Sequence, residues 1–498
     1  MCVLRCPGQR TKEGILISWV RKVHVMETGR PIKTAMAICL AGFMIRLDIY
    51  IANISLPAMC RYFNVGTGQV SYVMLSYLLM VTSSMLLFGK LGDRFGMKRI
   101  LVVGYGVFSL GSLLSGLSVT LSMLILARGL QGLGGAMLFT SAFSSISRVL
   151  PKEDTGWGYG MWSTFVGLGI TAGAPLGGMI SGFFSWHWIF LVNVPIGLLG
   201  LLLAQRFIPA DRPARVKGEP FDFSGTILSF LCLLALVYAL NQAGVRGWGS
   251  PKVLISFGAS ALLLTWMLRG EKRHPNPLLP PDLFKNRGYT YAVLTGIMGF
   301  MFVAGNSFLM PFYLIMTHGL SPQAAGLMMV LYALAFAMVS PRAGRLSDTV
   351  DPRKLGLMAM AALTVASVSF AYVLRLPTLL PAALFLLWMG LALGFFFSPN
   401  NRLAMGTAPS RQRGVAAGVY QASVNMGMVL GVSLFETVFS RRIDQTNGLP
   451  ALGFDHVDGT LPPHFDGYRD AYLLAAFFCV LAMLIFYASK RSQQRLNK

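Results

Sequence analysis

Apolar blocks alternate with short polar stretches from residue 34 to residue 489. Most blocks have the length of about 20 residues that a helix needs to cross the hydrocarbon of a bilayer. The pattern predicts fourteen spans, at 34–57, 69–89, 99–118, 121–143, 159–182, 187–206, 224–242, 252–268, 289–316, 322–341, 355–374, 378–398, 414–438 and 471–489. Composition agrees. The 498 residues are 54% hydrophobic and 12% charged, against roughly 25% charged in soluble domains. A soluble enzyme and a disordered chain are both excluded. The six cysteines are scattered and show neither a disulfide framework nor a zinc-ligand spacing.

The formal net charge of +23 raises the question of a nucleic-acid partner. The placement of the charges answers it. With the N-terminus inside, the inner segments hold 33 of the 42 Lys and Arg residues, the outer segments 7, and the spans only Arg46 and Arg128. This is the positive-inside pattern, and it predicts a multi-pass protein of the cell (inner or plasma) membrane with both termini cytoplasmic. The basic balance therefore reports topology, and no nucleic acid is expected. The first 30 residues are basic and do not look like a cleaved signal peptide, so none is expected. Met26 offers an alternative start, because the sequence from there reads directly into the first span.

Two loops repeat. Gly89-Lys90-Leu91-Gly92-Asp93-Arg94-Phe95-Gly96-Met97-Lys98-Arg99 follows the second span, and Gly344-Arg345-Leu346-Ser347-Asp348-Thr349-Val350-Asp351-Pro352-Arg353-Lys354 follows the tenth. A shift of 255 residues superposes Gly89 on Gly344, Asp93 on Asp348 and Arg99 on Lys354. Two halves of equal topology carrying one loop each suggest parallel repeats about an axis along the membrane normal.

The first loop resembles motif A of the major facilitator superfamily. Leu126-Ala127-Arg128-Gly129-Leu130-Gln131-Gly132-Leu133-Gly134-Gly135 resembles its motif B, and Gly167-Leu168-Gly169-Ile170-Thr171-Ala172-Gly173-Ala174-Pro175-Leu176-Gly177-Gly178 its antiporter motif C. Leu47-Asp48-Ile49-Tyr50-Ile51-Ala52-Asn53-Ile54-Ser55-Leu56-Pro57 and Trp186-His187-Trp188-Ile189-Phe190-Leu191-Val192-Asn193-Val194-Pro195 are similar to first- and sixth-span signatures of the 14-span drug:proton antiporters. The resemblance covers residues 30–490. It implies an all-α integral membrane protein of major facilitator fold: two six-helix bundles (34–206 and 289–489), a linker at 207–288 with two inserted helices, and cytoplasmic ends at 1–33 and 490–498. It implies a proton-coupled antiporter exporting amphipathic drugs or toxic metabolites by alternating access, driven by the proton gradient without a cofactor. A transporter dedicated to one metabolite, such as a siderophore or a sugar, is the alternative. Arg46 is a departure from the pattern, as is Asp351-Pro352 where the first loop has Gly96-Met97.

Each motif has a physical reading. Asp93, with Gly89, Arg94, Gly96, Lys98 and Arg99, suits a gating latch on the inner face, or a solvated turn that only sets topology. Gly169, Gly173 and Gly177 form a small-residue ladder that lets helices approach closely, with Gly178 beside it and Pro175 removing one backbone hydrogen bond. Ionisable groups inside spans are costly and usually functional, and of the nineteen acidic residues only Asp48 and Glu436 lie there. At 1.5 Å per residue, Asp48 and Arg128 sit roughly 21 and 18 Å above the inner surface, so they are candidates for the proton-coupling pair, or for a static ion pair. Arg46 and Asp48 are about 200° apart on the helix and cannot pair. Tyr50, Asn53, Asn306, Gln421 and Asn425 could line a path. Glu436 is expected near the outer surface, either as a solvated helix end or as a substrate contact. No phosphate-binding glycine loop, catalytic cluster or metal cluster is evident, so neither an enzyme nor a bound metal is expected. The partners read from the chain are a small-molecule substrate and the lipid bilayer. A periplasmic adaptor is not legible in the residues.

Overall fold

The computed structural model describes residues 30–150, 154–209, 223–247, 249–271, 281–408, 413–447 and 465–496. The alternative start at Met26 lies outside them, and so does the side chain of Asp93. Among the described residues the chain is all helical. The helices are α1 (Arg30–Phe63), α2 (Thr67–Phe95), α3 (Met97–Gly116), α4 (Leu121–Val149), α5 (Thr155–Phe183), the short α6 (Trp188–Leu191), α7 (Asn193–Phe207), α8 (Phe223–Arg246) and α9 (Pro251–Glu271). They continue as α10 (Pro281–Lys285), α11 (Arg287–Phe312), α12 (Pro322–Thr349), α13 (Pro352–Val373), α14 (Leu380–Thr407), α15 (Arg413–Asn447) and α16 (Phe465–Leu496), with a π-helical turn at Tyr313–Thr317 extending α11.

Every apolar block read from the sequence falls on a helix. Twelve of these helices, among the described residues, are long and apolar enough to cross a membrane; α2 and α8 are helical but not among those twelve. Local chemistry sets the ends. Thr120 caps α4 by accepting from the Met123 N–H at 3.2 Å, and Asn286 caps α11 by accepting from Gly288 at 3.0 Å. At the repeated loop the two halves use different devices. Gly96 turns the chain between α2 and α3 with φ 98°, and its N–H donates to the Gly92 carbonyl at 2.9 Å. Asp351 instead caps α13, accepting from Arg353 N–H at 3.0 Å, with Pro352 in the first turn where its missing N–H is no loss. The departure at that position is a change of turn chemistry.

Packing follows two groups. Helix α1 lies on α5, α4 and α7, while α2 and α3 lie on α4; in the second half α11 lies on α15, α14 and α16, with α12 on α14 and α13 on α16. Helix α8 sits against α2 of one group and α15 of the other, and α9 packs on α8. The groups meet mainly along α5–α12, α2–α15 and α1–α11. These meetings include the helix ends opposite the repeated loops, where a Cβ on Gly326 would lie 2.5 Å from the Ala174 carbonyl and 3.2 Å from Pro175 Cα.

Candidate functional site

Five helices converge on one buried carboxylate. Arg128 Nη1 donates to Asp48 Oδ2 at 2.6 Å and to Gln131 Oε1 at 2.7 Å, while its Nε donates to the Val73 carbonyl at 3.2 Å. The second carboxylate oxygen, Oδ1, accepts from Gln131 Nε2 at 2.8 Å and from Asn193 Nδ2 at 3.0 Å. Ser112 Oγ lies 2.5 Å from the same Gln131 nitrogen. The guanidinium stacks over Tyr77, 4.3 Å from the ring centroid, with Phe190 at 5.3 Å. Asp48 and Arg128 are 0% and 1% exposed. An ion pair so deep persists only with its remaining hydrogen-bonding capacity filled, and here α1, α2, α3, α4 and α7 jointly fill it. Equal depth along the chain marks Asp48 and Arg128 as neighbours, whereas Gln131, Asn193 and Ser112 carry no depth signal. Gln131 follows Arg128 by one helical turn, and Asn193 interrupts an otherwise apolar segment, so polarity in an apolar helix was the available signal.

The opposite side of α1 carries a second group. Arg46, Tyr50 and Asn53 recur at i, i+4 and i+7, hence on one face. Tyr332 of α12 lies against Tyr50, bringing the two halves together at this depth. Arg46 lies 6.0 Å from the Phe139 centroid. Among the described residues it makes no ion pair, and its Nε is buried without a hydrogen-bond partner. Both amide atoms of Asn53 are buried and unpartnered as well. The motif C ladder packs on this region: a Cβ on Gly169 would meet the Phe43 carbonyl at 2.5 Å and Arg46 Cβ at 3.1 Å, and one on Gly177 the Ile51 carbonyl at 2.7 Å. Gly173 meets Tyr50 still more closely, while Gly178 and Gly182 face Pro322 and Gln323 of α12. Helix α5, with Pro175 near its crossing of α12, is clamped between α1 and the other half.

The remaining cavity candidates divide. Gln421 and Asn425 of α15 face α2, with Asn425 Nδ2 3.0 Å from the Met85 sulfur. Asn306 is 1% exposed and accepts from the Tyr472 hydroxyl at 2.9 Å, tying α11 to α16 within one bundle. Glu436 is not a solvated helix end. It is 3% exposed and lies against the first turn of α2, its Oε1 2.9 Å from where a Gly68 Cβ would stand, a position that a helix N-terminus favours for an anion.

In the first repeated loop, Lys98 donates to the Gln205 carbonyl at 2.9 Å and to that of Ile208, capping the C-terminal end of α7. Arg94 lies 5.6 Å from the Phe95 ring centroid, Arg99 is exposed, and Gly89 has open space where a Cβ would stand. In the second loop, Asp348 pairs with Arg402 of α14. Two histidines at helix ends, His187 and His318, have pKa values lowered by burial, the former partly restored by a hydrogen bond that its ring donates to the Ser118 backbone carbonyl.

A family model described as Major Facilitator Superfamily matches residues 38–432. A riboflavin transporter of Clostridioides difficile (strain 630) is 29% identical over 449 residues, covering 90% of this chain and 95% of its own. A multidrug resistance protein of Mycobacterium tuberculosis (strain CDC 1551 / Oshkosh) is 30% identical, covering 83% of this chain and 76% of its own. A tetracenomycin C resistance and export protein of Streptomyces glaucescens is 30% identical, covering 83% and 77%. Among solved structures, a bacterial homolog of the human lysosomal transporter Spinster matches with a TM-score of 0.64 at 16% identity, over 92% of this chain and 96% of that one. The fold is shared at that distance.

Proposed function

This chain belongs to the major facilitator superfamily, and we propose that it is a proton-coupled antiporter of the 14-span type, exporting amphipathic drugs or toxic metabolites by alternating access. In this reading it sits in the inner or plasma membrane with both termini and both repeated loops on the cytoplasmic side. Relatives named for multidrug, tetracenomycin and puromycin resistance support export of foreign or toxic compounds.

The observation that carries the coupling is the Asp48 network. A proton arriving at Asp48 cancels its charge and leaves Arg128 buried without a counter-ion, a change worth about 3–5 kcal/mol. Swinging a two-state protein from 1:99 to 99:1 takes about 5.5 kcal/mol. One proton therefore supplies most of the energy that a switch between two access states needs. The site also has somewhere to put the proton's hydrogen bond. Asn193 Oδ1 and the Tyr77 hydroxyl are buried and unpartnered. Turning over the Asn193 amide replaces a donor beside Asp48 with an acceptor, matching a protonated carboxyl.

The test is transport in proteoliposomes under an imposed pH gradient. Wild type should move substrate uphill, and Asp48→Asn should lose uphill export while keeping its abundance and its downhill exchange. Uphill export by Asp48→Asn at the wild-type rate overturns the assignment. A second reading, a transporter dedicated to one metabolite, is favoured by the riboflavin transporter, whose similarity extends over nearly all of both chains. A substrate panel in an efflux-deficient host separates the two, because a dedicated transporter responds to one compound.

A further inference from the structure

We propose that Arg46 is the substrate-binding cation of the cleft between the halves, and that the class of compound it takes is an aromatic anion such as an aryl carboxylate. The inference deepens the exporter reading and rests on it for the direction of transport, but not for binding.

Three observations lead there. First, the two span arginines differ in their surroundings. Arg128 has a carboxylate at 2.6 Å, whereas among the described residues Arg46 pairs with no carboxylate and keeps a buried, unpartnered Nε. A guanidinium stays charged at any physiological pH, and an uncompensated charge at membrane depth is costly. An incoming anion offsets that cost, and a cation adds to it. Asp48, two residues away, is on the other side of the helix and is already committed to Arg128, Gln131 and Asn193.

Second, the same face of α1 holds unsatisfied hydrogen-bonding groups. Asn53 is 1% exposed, with neither amide atom partnered. It lies seven residues from Arg46, about 10 Å along the helix. A substrate reaching both carries its anionic group at one end and a polar group at the other.

Third, aromatic rings flank the site from both halves. Phe139 stands beside the Arg46 guanidinium. Across the boundary between the halves Tyr332, beside Tyr50, begins a run of neighbouring rings: Phe336 at 6.3 Å, Phe397 at 5.9 Å from Phe336, and Phe300 at 4.2 Å from Phe397. Phe336 is one turn from Tyr332 on the same helix, so it shares the face directed at α1. Phe300, Phe336 and Phe397 are half-buried. Such rings stack on planar aromatic bodies and leave the charge to the guanidinium, whose planar fork matches a carboxylate.

The test is calorimetric titration of the purified full-length chain in lipid nanodiscs with three ligands of one skeleton: 1-naphthoate, 1-naphthamide and 1-naphthylmethylammonium. Wild type should bind naphthoate at least tenfold more tightly than either of the others. Arg46→Gln should bind naphthoate at least tenfold more weakly while leaving naphthamide unchanged, and Arg46→Lys should recover part of the loss. Equal affinity of the wild type for the three ligands overturns the proposal without recourse to any variant, and so does unchanged naphthoate binding by a folded Arg46→Gln. Because binding is read without a pH gradient, its outcome is independent of the Asp48 transport assay. Selective binding with no proton-driven export leaves this inference standing and removes the antiporter reading.

Discussion

Replacing Gly169 by alanine adds one methyl group at the tightest backbone crossing of α5 with α1. The new carbon would stand 2.5 Å from the Phe43 carbonyl oxygen, 3.0 Å from Leu47 N and 3.1 Å from Arg46 Cβ. Ordinary contacts lie near 3.5 Å, so the helices must separate by about 1 Å, and the atoms in the way belong to backbone that cannot rotate aside. Overpacking of this kind costs about 1–3 kcal/mol. Against it stands the helix propensity of alanine, about 1 kcal/mol better than glycine. Gly167, two residues earlier on the same helix, has nothing within 4 Å of its Cβ position. Gly167→Ala therefore isolates the propensity gain, and the difference between the two variants isolates the crowding.

Domains of 150–250 residues, the size of each bundle, shift by roughly 2–4 °C per kcal/mol. Gly167→Ala should melt at or slightly above wild type in nanodiscs and transport normally. Gly169→Ala should melt about 2–12 °C below Gly167→Ala and lose most of its uphill export, because the displaced turn carries Arg46. Superimposable melting curves and equal transport for the two alanines would refute the claim that the ladder works by close approach of α5 to α1.

Other outcomes follow from particular contacts. Gln131→Ala and Asn193→Ala each remove a hydrogen bond to the Asp48 carboxylate, worth about 1.5–3 kcal/mol for a charged acceptor, and thermal melts should show a loss at both. Gly96→Ala forces a side chain into φ 98° and should reduce folded yield, measured by size-exclusion recovery, where Gly89→Ala, with open space around it, should not. Burial lowers the His187 and His318 pKa values, so the unfolded chain binds more protons than the folded one below about pH 6.5. Stability should be full above that value and fall as pH drops toward the folded pKa values, and the double variant with Gln at both positions should flatten the melting-temperature profile between pH 7.5 and 5. Reporter fusions after residues 65, 120 and 246 should read external, and after 92, 152 and 350 internal; inversion in the second half alone would remove the linker-pair arrangement.

Much of the scaffold is legible in the chain because the bilayer leaves few options. Each apolar block must satisfy its backbone internally, so block length and helix coincide. Depth is legible too, since rise per residue places Asp48 and Arg128 at one level. What a one-dimensional pattern lacks is azimuth across helices. Asn306 and Asn425 are both asparagines in apolar helices, yet one ties α11 to α16 and the other faces Met85 across the two halves. Glu436 sits near the outer surface by count, yet it is 3% exposed and lies against the first turn of α2 at Gly68. Tyr332 had no sequence signal, because its meaning comes from Tyr50, 282 residues earlier.

That pair shows how the two sides of α1 are joined. Asp48 faces the network inside the first bundle, and Tyr50, on the far side of the same helix, meets Tyr332 of the second. A change in the Asp48 network that turns or shifts α1 must act on this contact, which needs the halves together at that depth. Tyr50→Phe deletes the hydroxyl and keeps the ring. Taking this neutral hydroxyl contact at the scale of a neutral hydrogen bond, about 0.5–1.5 kcal/mol, the state in which the helix ends opposite the repeated loops are closed should lose about 2- to 12-fold in population relative to the open one. Spin labels at Phe184 and Leu376, exposed on those ends in different bundles, report the change by electron-electron distance measurement in a chain whose own cysteines are replaced. Tyr332→Phe should shift the distribution by the same amount. The double variant should shift it no further, since both changes remove one contact. Additive shifts, or distributions that match the parent, would show that the Tyr50–Tyr332 contact does not hold the halves together.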